Sequence, residues 1–257
     1  MGKPRSANPP AKNRGQALQS IRRIAGIDAL RGVALLIMIA YHFGFDLNHL
    51  GWIHYDINYD PRWLLARTLI LGSFLLIVGT SLALAETQPK NLQQKARRIG
   101  KIVVAAAMVT AGSWVFLPEF TIYFGTLHAI ALMSLILSLR PWRTWVAGSV
   151  GLLLIALGLG YVHPAFDSPG LAWLGLMTHK PQTADYVPML PWFGVCLIGY
   201  AVAKAAFQSK RGFDLGNNLH WPPLLVWLGR HSLAIYLLHQ SLLLGVMIPA
   251  TSLLKPS

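Results

Sequence analysis

Residues 24–45 read Ile24-Ala25-Gly26-Ile27-Asp28-Ala29-Leu30-Arg31-Gly32-Val33-Ala34-Leu35-Leu36-Ile37-Met38-Ile39-Ala40-Tyr41-His42-Phe43-Gly44-Phe45, and Asp46 follows. The run is long and apolar enough to span a bilayer as a helix, yet it carries ionisable groups in a pattern. At about 100° of turn per residue, Arg31 and His42 point almost the same way, and Asp28 and Asp46 fall within about 60° of them. The rest of the surface is Val, Ala, Leu, Ile and Met. A charge facing lipid at that depth costs roughly 3 kcal/mol or more. Four such groups on one stripe therefore predict a protein-lined, partly wet interior site. The plainer alternative is that they only tie helices together by hydrogen bonds and ion pairs.

Outward from this run the whole chain has the same character. Hydrophobic residues make up 54% of its 257 residues and charged residues 12%, and the mean hydropathy is +0.48. These values are too apolar for a soluble domain. Apolar windows near 24–45, 63–85, 99–117, 122–139, 144–161, 188–207 and 230–253 follow one another. They predict an all-α, polytopic transmembrane helix bundle of about seven spans, since lipid leaves no other way to satisfy the backbone. A short apolar piece, Leu224 to Leu228, precedes the last span and either lies in the interface or extends it. Residues 1–20 are basic and poor in apolar side chains and are expected to form a disordered cytoplasmic tail. Residues 21–257 are the membrane domain. No cleavable signal is expected, because the first apolar region is too long and no small-x-small site follows it.

The net charge of +13 is explained by topology rather than by nucleic acid. Lys3, Arg5, Lys12, Arg14, Arg22 and Arg23 precede the first span. Lys90, Lys95, Arg97, Arg98 and Lys101 lie between the second and third, Arg140 and Arg143 between the fourth and fifth, and Lys204, Lys210, Arg211 and Arg230 between the sixth and seventh. An odd span count puts all of them on one side. Asp56, Asp60, Glu119, Asp167 and Asp185 fall on the other. The positive-inside rule then places the N-terminus in the cytoplasm. A lone cysteine, Cys196, excludes an internal disulfide framework and a thiolate metal cluster.

Three histidines lie at membrane depth: His42, His128 and His239. A three-histidine zinc site is conceivable, but no i, i+4 spacing joins any two of them, and no metal is expected. Ser232, Tyr236 and His239 are separated by four and three residues and share a face. Interhelical hydrogen bonding alone would account for that face, and a neighbour's hydrogen bond would account for His128. Pro188-Met189-Leu190-Pro191-Trp192-Phe193-Gly194 opens the sixth span with prolines, which a first helical turn accepts. There is no phosphate loop, nucleophile elbow or dinucleotide fingerprint. Any nucleotide-bearing partner must be held by basic loops and helix ends.

Four stretches in order carry a family resemblance. They are Ile27-Asp28-Ala29-Leu30-Arg31-Gly32-Val33-Ala34 with Met38 and Tyr41-His42-Phe43; Phe124-Gly125-Thr126-Leu127-His128; the Pro188–Gly194 run; and Leu228-Gly229-Arg230-His231-Ser232-Leu233-Ala234-Ile235-Tyr236-Leu237-Leu238-His239-Gln240. Together, over residues from about 22 to 245, they resemble bacterial proteins related to the catalytic domain of heparan-α-glucosaminide N-acetyltransferase. The wider group of multi-span membrane O-acyltransferases is similar in placing a basic residue, ten intervening residues and a histidine in the first span, as Arg31 and His42 do here. The lysosomal enzyme has more spans and an asparagine where this chain places His42, so the histidine-bearing O-acyltransferase pattern fits better.

The resemblance implies transfer of an acetyl group from cytoplasmic acetyl-CoA to a sugar or glycan acceptor beyond the membrane, by N- or O-acetylation. It implies an integral protein of a bacterial inner membrane, in contact with lipid, with no nucleic-acid partner and with a homodimer left open. Such chemistry needs a general base, which histidine supplies near neutral pH. The expected catalytic residues are His42 as base, Asp46 one turn on to stabilise its imidazolium, and His239. A covalent acetyl-histidine is the variant. Arg31, roughly 16 Å deeper along the stripe at 1.5 Å per residue, is expected to meet the thioester arm or phosphates of CoA, held by Asp28. Arg97, Arg98, Arg140 and Arg143 would hold the nucleotide end, and His128, Ser232 and Tyr236 would line the channel. Two readings from other classes compete: a proton-coupled transporter or flippase, and a non-catalytic membrane partner in envelope assembly. The absence of repeat symmetry between the halves counts against transport.

Overall fold

The computed structural model describes residues 25–57, 59–87, 92–208 and 220–254. The expected basic tail, residues 1–20, lies outside them, as do the basic residues Lys90, Lys210 and Arg211. Among the described residues there is no strand. In chain order the α-helices are α1 (Ala25–His49), α2 (Pro61–Glu86), α3 (Leu92–Phe116), α4 (Thr126–Leu139), α5 (Thr144–Gly160), α6 (Met189–Gln208), α7 (Pro223–Arg230) and α8 (Ser232–Leu254). Five of them, α1, α2, α3, α6 and α8, are long and apolar enough to cross a membrane, while α4 and α5 are shorter apolar helices. The protein is thus an all-α membrane bundle.

Every expected span corresponds to a helix, and the ends differ for local reasons. α3 begins at Leu92 rather than near residue 99 because Gln93, Gln94, Lys95, Arg97 and Arg98 continue the helix beyond its apolar part. α4 begins at Thr126 rather than 122 because the preceding turn is held open. Ser113 Oγ accepts from Ile122 N–H at 2.9 Å, and Thr110 Oγ donates to the Ile122 carbonyl at 2.7 Å. The apolar piece before the last span is α7, and His231 separates it from α8. Asp60 caps α2 by accepting from Arg62 N–H at 2.8 Å, ahead of Pro61 at the first helical position.

Lipid is as apolar as leucine, so membrane helices associate by close packing rather than by escape from water. Small residues provide it here. α6 lies at the centre, against α2 on one side and α5 on the other. A Cβ on Gly79 would run into the Cys196 carbonyl, and one on Gly199 into Leu76. Leu75, Met133, Cys196, Leu197 and Tyr200 are fully buried around this crossing. Cys196 is consumed by packing.

The second contact positions the site. α7 lies across the start of α1, where a Cβ on Gly32 would strike the Leu225 carbonyl and one on Gly229 the Asp28 carbonyl. The chain then turns into α8, which also packs on α1. At the outer ends, Trp52 Nε1 donates to Thr251 Oγ at 2.8 Å. The long connection between α5 and α6 folds over the α3–α4 turn. Thr183 Oγ donates to the Thr121 carbonyl at 2.8 Å, and Ala184 and Val187 N–H donate to the Phe120 and Phe124 carbonyls.

Candidate active site

The polar stripe of α1 is real and it faces protein. Asp28 and Asp46 are 7% and 2% exposed in a helix whose other faces carry exposed Leu36, Ile37 and Phe43. The stripe divides into two poles, an Asp28–Arg31 end and a His42–Asp46 end, called inner and outer after the orientation expected from the charge pattern. At the inner pole Arg31 Nη1 donates to Asp28 Oδ1 at 2.9 Å, the expected i, i+3 pair. Its Nη2 donates to Ser81 Oγ on α2 at 2.7 Å, and Nη1 also reaches the Gly229 carbonyl at 3.4 Å. Arg230 Nε lies 3.5 Å from the other Asp28 oxygen. One buried carboxylate thus organises two guanidinium groups and ties α1, α2 and α7 together. Arg98 on α3 lies within electrostatic reach of Arg31.

At the outer pole α8 meets α1. The rings of His42 and His239 stand 5.0 Å apart between centroids at 59°, although no sequence spacing linked them. His239 Nδ1 lies 2.6 Å from the Tyr236 carbonyl. A carbonyl can only accept, so Nδ1 carries the proton and the neutral ring has its lone pair on Nε2. That Nε2 is buried with no hydrogen-bond partner among the described residues. The His42 ring makes no side-chain hydrogen bond to another described residue. It is flanked by Tyr41, whose ring contacts both His42 and Trp63 of α2. Asp46 does not hydrogen-bond His42. Its two oxygens accept from Gln240 Nε2 at 2.9 and 3.1 Å, and it stays close enough to His239 for their charges to interact.

His128 is built differently. Gly125 N–H donates to its Nδ1 at 3.3 Å, so the ring proton sits on Nε2, which lies 3.0 Å from Thr110 Oγ. Both nitrogens are engaged, and the ring pins the turn before α4. Beside it, Asp185 accepts from Thr126 N–H at 2.7 Å and from Thr126 Oγ at 3.2 Å. Burial pushes the Asp185 carboxyl above the usual range, against the lowering effect of the Thr126 hydrogen bonds. Tyr236 reaches the same carboxylate and packs with Ala105, Ala106 and Leu127. His128, Tyr236, His239 and His42 therefore form a connected series, with His128 as its fully bonded end. Ser232 is half-buried at the first turn of α8.

The four arginines expected to hold a nucleotide are not gathered at one place. Arg97 and Arg98 sit on the α3 extension, Arg98 beside Arg31. Arg140 and Arg143 are exposed and flank Trp142. Trp142 belongs to a cluster that sequence reasoning missed. Lys204 Nζ donates to Glu86 Oε2 at 2.8 Å, to the Trp142 carbonyl at 2.6 Å and to Tyr200 Oη at 3.1 Å. Tyr200 Oη donates to Glu86 Oε1 and accepts from Trp142 N–H. Glu86 lies five residues beyond Ser81 on α2, about 140° further round at 100° per residue. The cluster thus faces α6, away from Arg31. Ser81 and Gln240 were also missed as site residues. A serine gives no ionisable signal, but an amide at bilayer depth next to His239 is itself a mark of function.

No curated protein and no solved structure matches the chain. One family description does, over residues 23–241: heparan-alpha-glucosaminide N-acetyltransferase, catalytic. That stretch begins just before α1 and ends just after Gln240, so it takes in both poles of the stripe. The chain belongs to this family of membrane acetyltransferases.

Proposed function

We propose that the protein transfers an acetyl group from acetyl-CoA at the cytoplasmic side to a hydroxyl or amine of an envelope sugar on the far side of a bacterial cytoplasmic membrane. The observation that carries this reading is the pairing of His42 with His239 at 5.0 Å, on the stripe that leads to the Arg31 pole. Among the described residues the His239 Nε2 lone pair has no hydrogen-bond partner, which leaves a proton acceptor beside the His42 base.

The donor suits the inner pole. Arg31 and Arg230 gather there around one carboxylate, Asp28, Arg98 lies within electrostatic reach of Arg31, and Arg97 is exposed on α3. This excess of cations fits the phosphates of a nucleotide. Arg140 and Arg143, in the connection between α4 and α5, are the less suited pair. The stripe between the poles runs roughly 16 Å at 1.5 Å per residue, a length an extended pantetheine arm can cover. His42 takes the proton of the acceptor hydroxyl or amine, with His239 beside it. The acceptor heteroatom attacks the thioester carbonyl carbon, the carbon–sulfur bond breaks, and the proton passes to the departing thiolate. Asp46 stabilises the imidazolium formed in between. Tyr41 and Trp63 present an aromatic surface beside His42 on which a sugar ring can stack.

The test is release of CoA thiol by detergent-purified protein given acetyl-CoA and glucosamine. Sugar-dependent release that His42→Ala abolishes supports the reading. Undiminished release by a folded His42→Ala protein removes His42 from the mechanism.

A further inference from the structure

The chemistry above uses Asp46 and leaves its hydrogen-bonded neighbour Gln240 unexplained. Asp46 is 2% exposed, and a buried carboxylate ordinarily carries a cation as partner. Among the described residues no lysine or arginine lies within ion-pair distance of it. The charged or titratable groups near enough to act on it are His49 and His239. Its hydrogen bonds come from a neutral amide, Gln240 Nε2, which bridges both oxygens at 2.9 and 3.1 Å. The other end of that amide, Oε1, is buried with no hydrogen-bond partner among the described residues. In this arrangement the amide donates to both oxygens, and the carboxylate acts only as an acceptor.

We infer that Gln240 is the positioning residue for Asp46, fixing the carboxylate beside the His42–His239 pair while leaving its negative charge uncancelled. A cationic partner would hold Asp46 as well but would neutralise the field that a transient imidazolium needs. An apolar partner would leave the carboxylate unbonded and favour its protonation. Only a neutral donor of this length both orients and preserves the charge. The inference rests on the acetyl-transfer reading for its kinetic consequence, but its statement about the charge of Asp46 stands apart from turnover.

Three variants test it. Gln240→Met keeps the volume and removes the donor, Gln240→Lys keeps a donor and adds a cation, and Asp46→Asn removes the charge. Infrared difference spectra of wild type against Asp46→Asn should show a carboxylate band, and Gln240→Met should convert it to a protonated carboxyl band. In acetyl-CoA turnover with glucosamine, both Gln240 variants should lose about tenfold or more in kcat, with KM for acetyl-CoA within about twofold of wild type. Gln240→Lys should melt no lower than wild type. Adding Gln240→Met to Asp46→Asn should cause no further loss, since the residue acts through Asp46. A fully active Gln240→Lys protein would reduce Gln240 to a structural brace and overturn the inference. A protonated Asp46 in wild type would overturn it too, even if wild type shows no turnover and the acetyl-transfer reading falls by itself.

Discussion

The Asp28–Arg31 end of α1 and its His42–Asp46 end carry the same kinds of residue and satisfy them in opposite ways. At the inner end Asp28 meets counter-charges: Arg31 bonds Asp28 Oδ1, Ser81 and the Gly229 carbonyl, and Arg230 lies 3.5 Å from Asp28 Oδ2, which has no hydrogen-bond partner among the described residues. At the outer end, among the described residues, a buried carboxylate is hydrogen-bonded by an amide with no cation in ion-pair distance, and a buried histidine nitrogen and an amide oxygen have no hydrogen-bond partner. Buried polar groups are nearly always paired, and sites that break such local rules are where function is expected. The compensated pole is a joint between three helices with cationic capacity to spare. The uncompensated pole is poised for proton transfer.

That contrast can be broken from either side. Replacing His42 by alanine should lower kcat by about 10²–10⁴-fold, the usual weight of a general base, with little change in melting temperature. A matching loss of stability would mean that the pole is structural. Arg31→Ala should do the reverse. Removing one partner of a buried pair costs about 3–5 kcal/mol, and Arg230 beside Asp28 keeps the effect near the lower figure. Denaturation of Arg31→Ala against the double variant Asp28→Asn/Arg31→Ala should show that the second change restores part of the loss. Gly229→Ala would force α7 away from the Asp28 carbonyl, with about 1–3 kcal/mol lost to overpacking and weaker acetyl-CoA binding, measurable by calorimetry. The smallest effect is expected at the third histidine. Thr110→Val removes a hydrogen bond to His128 and one to the Ile122 carbonyl, worth about 1 kcal/mol each, and should leave turnover nearly intact.

Much of this was legible in the sequence because lipid leaves few choices. Uninterrupted apolar runs can only be helices, and each expected span has its helix. The Asp28–Arg31 pair followed from i, i+3 geometry, and the shared stripe of Arg31, His42 and Asp46 from helical periodicity. What periodicity within one helix cannot supply is which helix comes next to it. The meeting of His42 with His239 depends on α7 lying across α1 through Gly32 and Gly229, which delivers α8 to the stripe. Nothing in the spacing of the two histidines carries that information. The same holds for Gln240 on Asp46 and Ser81 on Arg31, contacts separated by 194 and 50 residues. His128 shares membrane depth with His42 in the sequence, where a neighbour's hydrogen bond already accounted for it, and both of its nitrogens find partners in the α3–α4 turn.

The most direct test of the two-pole account is calorimetric binding of acetyl-CoA to purified, folded protein, with wild type beside Arg31→Ala and His42→Ala. The account predicts micromolar binding, a dissociation free energy of about 8 kcal/mol, weakened by Arg31→Ala and unchanged by His42→Ala. Absence of binding to wild type, or equal loss in the two variants, would contradict the separation of a donor pole from a chemical pole.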